Sequence, residues 1–185
     1  MGLTRSRELE ANGFSRVALR RMATSGELQQ IARGVYAPPS FAATEHHGLA
    51  VASLLVPGGV ICLLSALQFH GLGTQAPFEV WMAIDRVARK PRPATPPLRV
   101  VRFSGRALRE GVETHQLEGV PVRITTTART VADCFKYRNK IGIDVAMEAL
   151  RAYRGRRLSL DELVRAAQVV RVANVIRPYL EAIAA

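Results

Sequence analysis

The stretch Asn12-Gly13-Phe14-Ser15-Arg16-Val17-Ala18-Leu19-Arg20-Arg21-Met22 decides how the N-terminal part of this chain folds. An Asn-Gly pair stops the helix before it, since both residues tolerate the left-handed backbone of a helix end. Ser15 then supplies a hydroxyl to cap the next helix. In that helix Arg16 and Arg20 are four residues apart and share a face, while Ala18, Leu19 and Met22 supply the buried side. Upstream, the pattern predicts a short helix from Thr4, as its cap, to about Ala11, with Leu9 inside. Downstream, after Ser25-Gly26, the runs Leu28–Ala32 and Val35–Ala37 flank Arg33-Gly34 and read as a hairpin closed by Pro38-Pro39. Helix, tight turn, Arg-bearing helix and hairpin is the order of a winged helix-turn-helix, here without the additional first helix that a complete winged-helix domain normally has. Such a head reads double-stranded DNA with cations and hydrogen-bond donors. The candidate DNA contacts are Ser15, Arg16, Arg20 and Arg21 on the second helix and Arg33 at the wing tip.

The 185 residues carry a formal charge of +11, which favours polyanionic partners, and 48% are apolar, enough to bury a core. Basic residues gather in Arg5–Arg33, Arg86–Arg109 and Arg123–Arg157, whereas Phe41 to Ile84 holds neither Lys nor Arg. That segregation predicts a basic face and a core-forming block. The expected division is a DNA-binding head over 1–40 and a mixed α/β domain over 41–185, giving an α+β protein with a helical C-terminus. Within the second part, helices are expected at Thr44–Val56 and Leu63–His70, and strands at Val60–Cys62, Val80–Ile84 and Leu98–Phe103. A hairpin is expected at Leu117–Val122, and a capping box at Ser159/Glu162. Pro178 is expected to start or kink a last helical segment.

Cys62 and Cys134 lie in apolar surroundings and read as buried free thiols of a cytoplasmic protein. No apolar run is long enough for a membrane span. No nucleophile elbow, phosphate loop or metal-ligand spacing occurs. His46 and His47 are adjacent, so their side chains diverge on a helix, and neither cysteine has a partner at ligand spacing. The expectation is therefore a non-enzyme with no cofactor and no metal. His70 before Gly71 suits a helix C-terminus in its cationic form, and Arg129 with Asp133 reads as a surface ion pair.

Three stretches bear a family resemblance. Arg33-Gly34-Val35-Tyr36, Leu63-Leu64-Ser65-Ala66-Leu67-Gln68-Phe69-His70-Gly71-Leu72 and Ile124-Thr125-Thr126-Thr127-Ala128-Arg129-Thr130-Val131-Ala132-Asp133 resemble, in order, motifs of the AbiEi-type antitoxin family. Thr127 stands where that family often has Pro. The resemblance implies a winged-helix head that represses its own operon at inverted repeats and an α/β domain for antitoxin action. It also implies a nucleotidyltransferase-like toxin as partner. A monomer or weak dimer would suffice if pairing occurs on the DNA. The alternative reading is a protein-interaction module that docks on an acidic toxin through Arg89, Lys90, Arg92 and Arg129, with little DNA reading of its own.

Overall fold

The structure is a computed structural model that describes residues 2–93 and 95–184. The chain opens with β1 (Thr4–Arg5), α1 (Ser6–Ala11), α2 (Arg16–Ser25) and the hairpin β2 (Gln29–Ala32) and β3 (Val35–Ala37). β1 pairs antiparallel with β3, giving a three-stranded sheet of order β1-β3-β2. Thr4 is therefore a strand residue and not a helix cap. Its hydroxyl donates to Gly2 O at 3.3 Å, and α1 starts at Ser6 without a side-chain cap.

The rest of the chain builds a five-stranded sheet of order β6-β5-β4-β8-β7. Its strands are β4 (Val60–Ile61), β5 (Val80–Asp85), β6 (Leu98–Phe103), β7 (Val112–Leu117) and β8 (Val120–Thr125). β5 runs parallel to β6 and β4 runs parallel to β8, with antiparallel pairing elsewhere. Between and after them come α3 (His47–Leu55), α4 (Leu63–His70), α5 (Thr127–Lys136), α6 (Arg138–Ile141), α7 (Ile143–Gly155), α8 (Leu160–Val169) and α9 (Ala173–Ala184). The fold mixes helix and strand as the α+β reading expects.

Alternation along β5 explains why both faces of this sheet are covered. Val80, Met82 and Ile84 point into a core shared with α3, whereas Trp81 and Ala83 point into the larger core formed with α4, α5, α7 and α8. β8 sends Val120, Val122 and Ile124 into the α3 core. A run of buried apolar residues, rather than strict alternation with polar ones, is what a strand covered on both faces requires.

The head has a small core of its own: Leu9, Leu19 and Tyr36, with Ala23 and Leu28 against them. Full burial of a side chain of this size is worth about 1.5–3 kcal/mol. Ordering the backbone costs roughly 1 kcal/mol or more per residue, so three such side chains cannot hold the head together alone. Leu3, Val35 and Ala37 make up the difference, because they pack with Ala50, Leu54 and Val122 in the α3 core. A polar strut reinforces this junction. The β7–β8 turn places Glu118 (φ 53°) and Gly119 (φ 82°) in the left-handed region, as a two-residue hairpin demands. Glu118 O accepts from Leu3 N at 3.2 Å. Its carboxylate accepts from Thr44 N (2.7 Å) and the Thr44 hydroxyl (2.9 Å), and meets His47 Nδ1 at 2.8 Å.

That strut also corrects the α3 boundary. With its N–H and hydroxyl committed to Glu118, Thr44 stays outside the helix, which starts at His47. Pro178 lies inside α9 instead of starting it. Pro178 and Asn174, whose carbonyl loses its helical donor, are both exposed, so the orphaned acceptor is open to solvent.

Candidate nucleic-acid interface

The turn between α1 and α2 is built from local bonds. Asn12 Nδ2 donates to Glu8 O at 2.8 Å, Gly13 N to Glu10 O at 3.0 Å and Phe14 N to Leu9 O at 3.1 Å. Gly13 sits at φ 93°, where a side chain would be strained. Ser15 Oγ accepts from Ala18 N at 3.2 Å, and Gly26 ends α2 at φ 84°. Leu19 is the only residue of α2 that is buried, so the helix is held along one narrow stripe.

Ala18, Met22 and Ala23 are half-buried beside Leu19, and the rest of α2 faces solvent. Ser15, Arg16, Arg20 and Arg21 are all exposed. Arg16 is committed elsewhere: its Nε donates to Glu10 Oε1 at 2.9 Å across the turn, with the guanidinium side chain 85% exposed. Among the described residues no carboxylate forms a salt bridge with Arg20, Arg21 or Arg33. Arg33 is exposed at the hairpin tip, whose position is set by Ser6 N donating to Gly34 O at 2.9 Å. Sequence reasoning missed Val17, which is 79% exposed between Arg20 and Arg21 at helical spacing. The signal available in the sequence was the spacing, since Val17 lies three and four residues before Arg20 and Arg21 and so shares their side of the helix.

The second group of candidates separates. Arg89, Lys90 and Arg92 are exposed on the loop between β5 and β6 and line a depression of about 460 Å³. Arg129 does not join them. Its side chain is fully buried and donates to Asp133 Oδ1 (3.0 Å), Glu110 O (2.6 Å) and Ala107 O (2.7 Å), with the guanidinium 5.0 Å from the Phe103 ring centre. It is neither a surface ion pair nor a residue open to a partner. Ala128 to Phe135 are buried without interruption, so α5 runs through the core, and a charge on it must be satisfied internally. Burial pushes the Asp133 carboxyl up to about 6, against the pull of the Arg129 guanidinium.

His70 also differs from its expected role. Its Nε2 donates to Thr125 O at 2.7 Å, and burial lowers its pKa, which favours the neutral ring. The cation at the end of α4 is Arg156, which donates to His70 O and Gly71 O at 2.6 Å each. Cys62 and Cys134 are free and buried, and desolvation raises both thiols well above their ordinary range. Among the described residues no cluster of His, Cys, Asp or Glu could hold a metal ion, and no helix is long and apolar enough to cross a membrane.

Comparison with known proteins adds three findings. A crystal structure of the RV2827C protein from Mycobacterium tuberculosis is similar in fold, with a TM-score of 0.51 over 94% of this chain and 72% of that one, at 17% sequence identity. No protein among those with curated descriptions matches. The family model described as transcriptional regulator, AbiEi antitoxin, matches residues 1–39, which includes Arg33–Tyr36; the motifs at Leu63–Leu72 and Ile124–Asp133 lie outside the matched segment. Residues 1–39 thus carry the signature of the AbiEi antitoxin transcriptional regulators.

Proposed function

We propose that this protein is a DNA-binding antitoxin that represses its own operon through a winged helix-turn-helix over residues 1–40. The observation that supports this most is the state of α2, buried only at Leu19 and leaving Val17, Arg20 and Arg21 in solvent. Held this way, the helix enters a major groove with Arg20 and Arg21 as donors to guanine or phosphate and Val17 as an apolar contact. Ser15 reaches phosphate at the helix start, and Arg33 lies against the minor groove or backbone beyond. Arg16 contributes charge but is positioned by Glu10.

The operator is an inverted repeat near the gene, read by two copies that pair on the DNA. A nucleotidyltransferase-like toxin is the counterpart whose action the protein offsets, and the site of action is the cytoplasm. The protein itself catalyses nothing in this account. The test is a reporter driven by the DNA upstream of the gene. The intact chain represses it, and Arg20→Ala with Arg21→Ala relieves repression at equal protein level. Repression by that variant equal to the parent's would contradict the assignment of α2.

A further inference from the structure

The five-stranded sheet ends on β6, which pairs with β5 on one side and, among the described residues, has no strand on the other, where the Arg102 carbonyl accepts from the Tyr137 hydroxyl at 3.3 Å. A depression of about 470 Å³ follows that free edge, and Leu98, Arg99, Val100 and Val101 all line it. Successive residues of a strand point to opposite faces, so four in a row bring the main chain of β6 to the hollow, which Trp81 of the neighbouring β5 also lines. Lys90, from the loop after β5, and Lys140, from α6, complete its walls together with Arg99. Glu79 is the one acid at its margin, and among the described residues it forms no salt bridge with these three cations. Arg99 is placed by stacking 5.6 Å from the centre of the buried Trp81 ring. Two large apolar side chains, Phe78 (88% exposed) and Val87 (85% exposed), stand just before and just after β5.

We propose that the β6 edge, with Lys90, Arg99 and Lys140, is a docking site for an acidic extended peptide segment of a partner protein, which joins the sheet as an added strand. An edge strand offers a row of main-chain donors and acceptors, and β-addition is the mode that uses them. The cations select the occupant's charge. A second copy of this strongly basic chain is repelled there, while a strand bearing Glu or Asp is attracted. Nucleic acid would satisfy the cations but cannot continue a main-chain ladder. The proposal is independent of DNA reading by α2, which lies in the other sheet's half of the molecule.

The test uses the full chain and a labelled ten-residue peptide of alternating Glu and Val. Fluorescence anisotropy is expected to show binding that falls at least tenfold when alternate peptide amides are N-methylated, and at least tenfold when Glu is replaced by Lys. Lys90→Glu, Arg99→Glu and Lys140→Glu together should cost tenfold or more. The milder pair Lys90→Gln and Lys140→Gln, which leaves β6 untouched, should cost at least threefold. Amide hydrogen exchange over Leu98–Phe103 is expected to slow on binding. Arg20→Ala with Arg21→Ala should bind the peptide as the parent does. The proposal is overturned by equal affinity for the N-methylated peptide, by unchanged exchange in β6, or by indifference to the charge variants. Displacement of the peptide by oligothymidylate at lower concentration than by unlabelled peptide would overturn it too, assigning the groove to nucleic acid.

Discussion

Replacing Arg129 with Met removes the cation from a pair whose two side chains are both fully buried. Three bonds go at once: to Asp133 Oδ1 and to the carbonyls of Ala107 and Glu110. Breaking one partner of a buried pair costs about 3–5 kcal/mol, because the other charge is left uncompensated in low dielectric. Asp133 is especially exposed to that cost, since Oδ2 already lacks a hydrogen-bond partner. The loss carries a pH signature. In the intact protein the Asp133 carboxyl is raised from 3.8 to about 6. A raised acid contributes stability that is complete below its unfolded value and is lost as pH rises through its folded value, so this contribution is gone by pH 7. Without Arg129 the folded value rises further. The variant then keeps losing stability above pH 6, by up to about 1.4 kcal/mol per pH unit while Asp133 stays protonated. Urea unfolding followed by circular dichroism at pH 6, 7 and 8 measures both effects. Adding Asp133→Leu to Arg129→Met removes the stranded acid, and the double variant should be more stable than the single one and should lose the extra pH dependence. A loss under about 1 kcal/mol, or a deficit equal at all three pH values, would refute the reasoning that this pair is a sealed internal ion pair.

Three further expectations rest on other parts of the structure. Glu118→Ala removes the acceptor for Thr44 and His47 and should cost about 1.5–3 kcal/mol in urea unfolding. Burial opposes ionisation of Glu118, but bonds from Thr44 and His47 hold its carboxyl below 4.5; its contribution is therefore present above that pH and lost as pH falls through the folded value. A peptide of residues 1–40 alone should show no cooperative thermal transition by circular dichroism, since Leu3, Val35 and Ala37 are buried against the rest of the chain; a sharp transition would contradict the shared core. Arg33→Ala should reduce the magnitude of the slope of log affinity against log salt by roughly 0.9, as loss of one phosphate contact does, with little change in sequence preference.

Local signals carried three of the helix starts. Ser15, Thr126 and Ser159 each accept from the N–H three residues on, as short-range capping patterns indicate. The doubly covered strand β5 was legible from its unbroken apolar run. What escaped was set by partners far away in sequence. Thr44 is drawn off α3 by Glu118, 74 residues later, and Arg156 caps α4 from 86 residues away. Arg129 and Asp133 show the same limit differently. Their spacing suits a surface pair, and only the apolar residues on every side of them, from Ala128 to Phe135, point to an interior helix. In the N-terminal head the exposed arginines were legible, whereas Val17 was assigned to neither side of α2. The pull of Glu10 on Arg16 depends on how the turn closes, which spacing alone does not reveal.

The central claim is that α2 and the hairpin tip read DNA sequence. The most direct measurement is fluorescence anisotropy of the intact chain with its own upstream DNA and with a scrambled duplex of equal composition, across a salt series. Tighter binding to the upstream site by a factor of a hundred or more, with affinity falling steeply with salt and the preference lost in Arg20→Ala with Arg21→Ala, is the predicted result. Equal, weak binding to both duplexes, unchanged in that variant, would contradict it.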